Sequence, residues 1–301
     1  MSPIGGKKSF SVVLDEIVSL KEKHNLRKES LRDFRNRSQR LKDSFGDVPI
    51  SDLKPTDLTY WLNSLKISRR STENFFNTLK HIMRYAVGER YIHESPLEGL
   101  SKIKKCMLFG IKEEKIPETY AINEVKAIME TALQEAFIPI LPAFTLGFFC
   151  GLRTTELLQL NWTDVHLNED EPYVQVLADV AKKRRNRAVL IPPNAQKWLS
   201  LCKSEDGRIW PKASTPFNNL RVKLLAATRA ESHQNGMRHS FASYHLDKFK
   251  DSMETARQLG YKDSDEVLFS NYRALVSNDN GDKFFSTAPP VNKFKLVKFS
   301  S

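Results

Sequence analysis

Cysteine is scarce in this chain. Cys106, Cys150 and Cys202 are the only three in 301 residues, and none sits in a Cys-x-x-Cys pair. That excludes a disulfide framework and a structural zinc site, and it points to a reducing compartment. Cys150 lies in an apolar run and reads as a core residue. No stretch of about 18 apolar residues occurs, so no membrane span is expected. The N-terminus, MSPIGGKKSFSVVLDEI, has basic residues but no apolar h-region and no small-residue cleavage site. Secretion is therefore not expected, and a cytoplasmic location is. A GxxxxGK[ST] phosphate loop is also missing, which argues against ATP-driven chemistry of that kind. There is no internal repeat and no low-complexity segment. Acidic residues are in deficit: 36 Asp+Glu stand against 47 Lys+Arg, for a net charge of +11.

A polyanionic partner fits that excess, because each phosphate neutralised by Lys or Arg releases counterions and adds affinity. The excess is uneven. Residues 1–115 carry 23 Lys+Arg and 15 Asp+Glu, whereas the remainder carries 24 and 21. The length suits about two domains. Apolar spacing predicts two helices within residues 8–46, with Val12, Val13, Ile17 and Leu20 on one and Gly46 closing the other. A third helix is expected from Lys54-Pro55-Thr56-Asp57, with Thr56 or Asp57 as its cap. A fourth carries Phe75, Phe76, Leu79, Ile82, Met83 and Val87, with Arg69 and Arg70 ahead of it. Pro96 breaks the pattern. No strand is expected up to about residue 115, so residues 1–105 read as an all-α bundle.

Residues 106–117 read as a charged linker ending at a proline. The second domain, 118–285, is expected to be mostly helical. IPILPAFTLGFFCGL reads as an apolar helix despite Pro142, and TTELLQL as a short helix after it. YVQVLAD and RAVLIPP alternate as strands around the basic turn AKKRRNR, which predicts a hairpin. Helices resume at NAQKWLSLC, TPFNNLRVKLLAATRA, MRHSFASYHLDKF, SMETARQLG and DEVLFSNYRALV. The fold class is mainly α with a small β-sheet, in two domains, followed by a tail at 286–301.

Four signals in the second domain come in a set order. They are GLRTTELLQL with Arg153, the hairpin turn with Lys182, NGMRHSF with Arg238, and LFSNYRALV with Tyr272. Singly, each has an ordinary explanation: a salt-bridged helix start, a solvated charge run, a half-buried tyrosine anchor. Together they match one reaction. Cutting DNA without a metal needs a nucleophile, an acid for the leaving group, and cations on the phosphate. A tyrosine can form a phosphotyrosine bond. Two arginines can grip the non-bridging oxygens. A lysine on a hairpin can protonate the departing 5′-oxygen. The covalent intermediate keeps the bond energy, so neither ATP nor another cofactor is required.

On these residues the chain resembles the tyrosine recombinases, or phage integrases, over nearly its whole length. ESLRDFRNRSQRLKDSFGD and NTLKHIMRYAVGERYIHESPL resemble the family's helical core-binding domain, a SAM-like bundle. GLRTTELLQLNWTDVHL resembles the first-arginine box, AKKRRNRAVLIPP the lysine hairpin, MRHSFASYHL the second-arginine box, and LGYKDSDEVLFSNYRALV the nucleophile box. The resemblance implies a catalytic set of Arg153, Lys182, Arg238 and Tyr272, with Glu156 supporting the first arginine. It implies site-specific DNA recombination by a homotetramer on paired duplexes, through a 3′-phosphotyrosine. It also implies that the tail, with Phe294, Leu296, Val297 and Phe299, packs on a neighbouring subunit or on its own domain.

Two positions depart from the family pattern. Asn235 stands where His-x-x-Arg begins, and Tyr261 stands where the pattern has LG-His. Each can donate a hydrogen bond to a phosphate oxygen, but neither supplies an imidazole. Activation of Tyr272 must then come from elsewhere. His233 and His239 lie nearby, and His239 reads as a buried structural histidine. The departures favour, as an alternative, a DNA-binding protein of integrase ancestry that no longer cleaves.

Candidate DNA contacts are Arg69 and Arg70 at a helix start, Lys102, Lys104 and Lys105 in the linker region, and Arg184 and Arg185 in the hairpin turn. Such phosphate contacts position a protein on DNA without reading sequence. Replacing Lys104 and Lys105 by alanine is expected to weaken duplex binding. It should also lower the slope of log affinity against log salt by about 2. Fluorescence anisotropy across a salt series measures that slope, and an unchanged value excludes both lysines as phosphate contacts.

Overall fold

Chain entries and exits, more than apolar patterning, decide where these helices begin. The computed structural model describes residues 7–24, 28–98, 108–109, 117–177, 186–261 and 280–290. The chain divides into two compact units, Met1–Glu114 and Lys115–Ser301. No helix among the described residues is long and apolar enough to cross a membrane.

The first unit holds α1 (Phe10–Lys23), α2 (Lys28–Phe45), α3 (Pro55–Ser64) and α4 (Arg69–Gly88). Phe10, Leu14 and Ile17 from α1 meet Leu41, Leu58, Leu79 and Ile82 in one apolar cluster. A row of edge-to-face rings, Phe10–Phe45–Trp61–Phe75, ties α1, α2, α3 and α4 together at centroid distances of 5.9, 5.6 and 5.5 Å. The cap of α3 differs from the sequence expectation. Lys54 takes the cap position and Pro55 the first helical turn, where its fixed φ fits and its missing N–H is no loss. Asp57 sits three residues on and accepts from the Lys54 amide at 3.2 Å. Likewise Arg69 and Arg70 do not precede α4 but form its first turn, after the capping hydroxyl of Ser68.

The second unit runs α5 (Ile122–Thr131), α6 (Leu141–Phe149), α7 (Thr154–Leu157), β1 (Val165–His166), β2 (Tyr173–Val176), β3 (Arg187–Leu190), α8 (Pro193–Ser200), α9 (Ser214–Thr228), α10 (Gly236–Phe249), α11 (Ser252–Leu259) and α12 (Asn280–Phe285). Pro142 does not interrupt α6, because it lies in the first turn, where proline is tolerated. All nine residues of α6 are buried. The hairpin is present, with Val174 opposite Val189 and Val176 opposite Arg187. The sheet has a third strand, β1, paired antiparallel to β2. Two residues are too short a run for an alternation to register.

NGMRHSFASYHL reads in the sequence as an amphipathic helix start. Helix α10 is instead enclosed on most sides: nine of its 14 residues are buried, against α6 and α12. Ser240 serves a neighbour rather than solvent: its hydroxyl accepts from the Tyr120 amide at 2.8 Å. The nucleophile box, residues 262–279, lies outside the described residues, as does the basic turn 178–185.

The first residues of the tail are fixed to the second unit. The Thr287 carbonyl accepts from Trp198 Nε1 at 2.9 Å and from Asn194 Nδ2 at 3.2 Å, and both donors are buried. Residues 291–301, which carry the apolar tail pattern, lie outside the described residues. A chain ending at Ser286 is expected to be less stable than one ending at Pro290 by about 2 kcal/mol, because two buried donors lose their acceptor. Urea unfolding midpoints of the two truncations decide it; equal midpoints show the Thr287 carbonyl to be dispensable.

Candidate active site

At the end of α6 the chain turns through Gly151, whose φ is +66°. A Cβ there would lie 2.4 Å from the Phe241 ring, so glycine is required both by backbone angle and by the close pass of α10. Two residues later Arg153 opens α7. Glu156, one turn in, is fully buried. Its carboxylate accepts four hydrogen bonds. Oε2 takes the Arg153 amide at 2.9 Å and Arg187 Nη2 at 2.7 Å; Oε1 takes Arg153 Nη1 at 3.0 Å and Arg187 Nη1 at 3.1 Å. Burial alone would raise the Glu156 pKa. The hydrogen bonds and charge of Arg187, then those of Arg153, outweigh it and hold the group below the usual glutamate value.

Arg238, three residues into α10, is 5% exposed. Its Nη1 donates to the Gly151 carbonyl at 2.6 Å and its Nη2 to the Leu259 carbonyl at 2.5 Å. Burial, and next the charge of Arg153, pull its pKa down to about 10, so it stays protonated at neutral pH. The Tyr261 ring lies 5.4 Å from the guanidinium carbon, and the Tyr261 side chain also hydrogen-bonds to Arg238. Tyr261 follows Gly260, which closes α11 at φ +70°. A Cβ on Gly260 would sit 3.0 Å from Arg187 Cδ.

Asn235 adopts a left-handed conformation (φ +59°) immediately before α10, a role that suits asparagine. Its carbonyl accepts from the His239 amide at 2.9 Å, and its side chain is exposed. His239 is half-buried, and burial followed by the Arg238 charge lowers its pKa, which keeps it neutral. His233 stacks beside Tyr120 at 4.8 Å, and its Nδ1 lies 3.0 Å from Glu118 Oε2. Arg153, Thr154, Arg221, His233, Asn235 and Arg238 line one cleft.

Of the catalytic candidates, Arg153, Asn235 and Arg238 meet in that cleft, and Tyr261 stands beside Arg238. Lys182 and Tyr272 lie outside the described residues, as do Lys102, Lys104, Lys105, Arg184 and Arg185. Arg70 is exposed on α4, whereas Arg69 donates to Glu73 Oε1 at 2.9 Å. Two arginines of this region were missed in the sequence. In the sequence Arg187 ends the basic turn AKKRRNR and opens the strand RAVLIPP. It shares the inner face of β3 with Val189, two residues on, and that alternation was the available signal. Arg221 lies within the helical stretch TPFNNLRVKLLAATRA, where nothing in the spacing sets it apart.

No family model matches the chain. A tyrosine recombinase XerC-like protein from Caldanaerobacter subterraneus is 36% identical over 134 residues, which cover 42% of this chain and 32% of that protein. The match thus spans about a third of that relative's length. The tyrosine recombinase XerC of Pseudomonas fluorescens is 27% identical over 242 residues, covering 73% of this chain and 74% of the relative. Among solved structures, a lambda integrase dimer bound to a COC′ core site superposes with a TM-score of 0.70 at 15% identity, over 90% of this chain and 98% of that one. The Tn1549 transposon integrase in complex with a circular intermediate DNA gives 0.69 at 12% identity, over 88% and 95%. These structural likenesses establish the fold.

Removing Arg187 leaves a buried carboxylate with one cation fewer. Arg187→Gln is expected to destabilise the chain at pH 7–8 by on the order of 3 kcal/mol. The sign with pH follows from Glu156. In the native chain its depressed pKa gives stability above the unfolded value that is lost as pH falls. In the variant, burial dominates and the pKa rises, so the penalty is full at neutral pH and is relieved on acidification. The gap between the two chains should therefore narrow below about pH 5. Urea titrations of both chains from pH 4.5 to 8 test this; a gap constant with pH means that Glu156 is not the group responding.

Proposed function

We propose that the chain is a site-specific DNA recombinase of the integrase type, a reading supported by its similarity to tyrosine recombinases. The observation that carries this reading is the placement of Arg153 and Arg238 in one cleft, each held from behind by fixed acceptors. Glu156 holds Arg153. The Gly151 and Leu259 carbonyls hold Arg238. Both guanidinium groups are thereby pre-oriented, and a phosphodiester meets two cations that need little reorganisation.

In the proposed reaction the Tyr272 hydroxyl gives up its proton to solvent water and its oxygen attacks the scissile phosphorus. A bond forms from the tyrosine oxygen to phosphorus, and the bond from phosphorus to the 5′-oxygen breaks. Lys182 delivers the proton to that leaving oxygen. Arg153 and Arg238 neutralise the non-bridging oxygens as charge builds in the pentavalent transition state. Asn235 and Tyr261 donate hydrogen bonds in place of the family's histidines. A 5′-hydroxyl from a second strand then reverses the chemistry, and the conserved bond energy closes the exchange without ATP.

The partner of this reading is double-stranded DNA. A lambda integrase tetramer bound to a Holliday junction matches the chain with a TM-score of 0.70, which supports a homotetramer on paired sites. We assign the first unit, with Arg69, Arg70, Lys102, Lys104 and Lys105, to phosphate contacts. Arg184 and Arg185 flank the lysine in the hairpin turn. The working compartment is the cytoplasm of a prokaryotic cell, at the nucleoid. The substitutions at Asn235 and Tyr261 support a second reading, a binder that no longer cleaves.

Covalent trapping separates the two. The full chain is incubated with nicked duplexes spanning the ends of its own genetic element, without added metal, and resolved in SDS. A protein–DNA adduct is expected from the native chain and absent from Tyr272→Phe. Tight binding with no adduct from the native chain overturns the recombinase reading in favour of the binder.

A further inference from the structure

Helix α9 turns an apolar stripe to the core through Phe217, Leu224 and Leu225. Arg221 interrupts that stripe, one turn after Phe217 and one turn before Leu224 and Leu225. It is half-buried, and its Nε is shut off from solvent without a hydrogen-bond partner. Among the described residues no carboxylate and no carbonyl engages it. Yet its side chain lines the same cleft as Arg153, His233, Asn235 and Arg238.

The contrast with its neighbours is what makes this position informative. Arg153 and Arg187 share the Glu156 carboxylate. Arg238 has two backbone carbonyls. Each of those cations is compensated within the fold. Arg221 is the arginine of the cleft that is not. A guanidinium drawn partly out of water with its Nε–H buried and unsatisfied is unfavourable, and a hydrophobic residue on that stripe would pack without the penalty. The arrangement becomes favourable when an anion enters the cleft, because five donors in a rigid fork then find oxygens. Tyr120, which lines the same cleft, does not fill that role. Burial raises the Tyr120 phenol, and the Arg221 charge only partly opposes it.

We propose that Arg221 is a third phosphate-binding arginine of the site, contacting a phosphodiester oxygen of the bound strand alongside Arg153 and Arg238. The proposal rests on the recombinase reading for the identity of the anion. It assigns to α9 a share in holding DNA.

The test uses the full chain, the duplex of the trapping experiment, and the variants Arg221→Gln and Arg221→Lys. Anisotropy titrations from 50 to 250 mM KCl give the slope of log affinity against log salt. Arg221→Gln is expected to lower that slope by about 1 and to weaken binding roughly 8-fold at 0.1 M salt. Arg221→Lys, which keeps the charge, should retain most of the slope. The thermal midpoint of Arg221→Gln without DNA should equal or exceed that of the native chain, because the lost group has no partner to forfeit. An unchanged slope in Arg221→Gln, or a fall in midpoint with the slope intact, overturns the phosphate contact. The covalent trap keeps this separate from the reading beneath it. A reduced slope with no adduct from the native chain keeps the Arg221 contact and overturns cleavage. An intact adduct with an unchanged slope does the reverse.

Discussion

One buried carboxylate organises the second unit's site. Glu156 receives four hydrogen bonds, from the amide and guanidinium of Arg153 and from two nitrogens of Arg187. In doing so it joins α7 to the start of β3, although Glu156 and Arg187 are 31 residues apart in sequence. Arg238 closes the figure from the other side, between the Gly151 and Leu259 carbonyls. Gly260 then rests against Arg187. The result is a ring of contacts running Glu156, Arg187, Gly260, Leu259, Arg238, Gly151 and back through Arg153. Every sequence box of the second domain that falls within the described residues supplies a member. Such a network is stable as a whole and poor in parts, because any missing member leaves a charge or donor buried and unpaired.

The two glycines of the ring show why local geometry and long-range packing cannot be separated here. Gly151 and Gly260 both adopt positive φ. Each also lies where a side chain would strike a ring member or the residue packed over it. A β-carbon at Gly151 would displace Phe241, and through it the helix that carries Arg238. The backbone turn and the placement of the arginine are one constraint with two aspects.

Much of this architecture is legible in the sequence because it follows from short-range periodicity. Most helices of both units, the hairpin, and the buried run around Cys150 follow from spacings of two or of three to four residues, whereas the short α12 does not. The family boxes locate Arg153, Glu156 and Arg238 as well. What stays hidden has a common cause. Whether Lys54 or Asp57 caps α3 turns on where Pro55 falls in the first turn, a one-residue matter. The enclosure of α10 depends on α6 and α12 arriving on either side, so its polar residues look like a solvent face. Arg187 and Arg221 are hidden because a charged residue reads as exposed by default. Only a carboxylate or an anion-accepting cleft far along the chain makes a half-buried arginine reasonable. In each case the missing information was the identity of a distant partner.

The charge balance of the cleft follows from the same observations. Arg153, Arg187, Arg221 and Arg238 bring four positive charges to a region where Glu156 pairs with only two of them, Arg153 and Arg187. The strain of that excess is visible in Arg238, whose pKa falls to about 10 through burial and then through Arg153. A folded chain tolerates such repulsion only where scaffolding contacts hold the cations in place, and the ring around Glu156 does so for three of the four. An entering phosphodiester lowers the free energy of all of them together. A pentavalent transition state, with more negative charge on its equatorial oxygens, lowers it further. Interactions that grow as the reaction proceeds accelerate it, whereas equal attraction to bound DNA and transition state does not. The cationic surplus of the cleft therefore suits an anion whose charge grows as it reacts better than one of fixed charge.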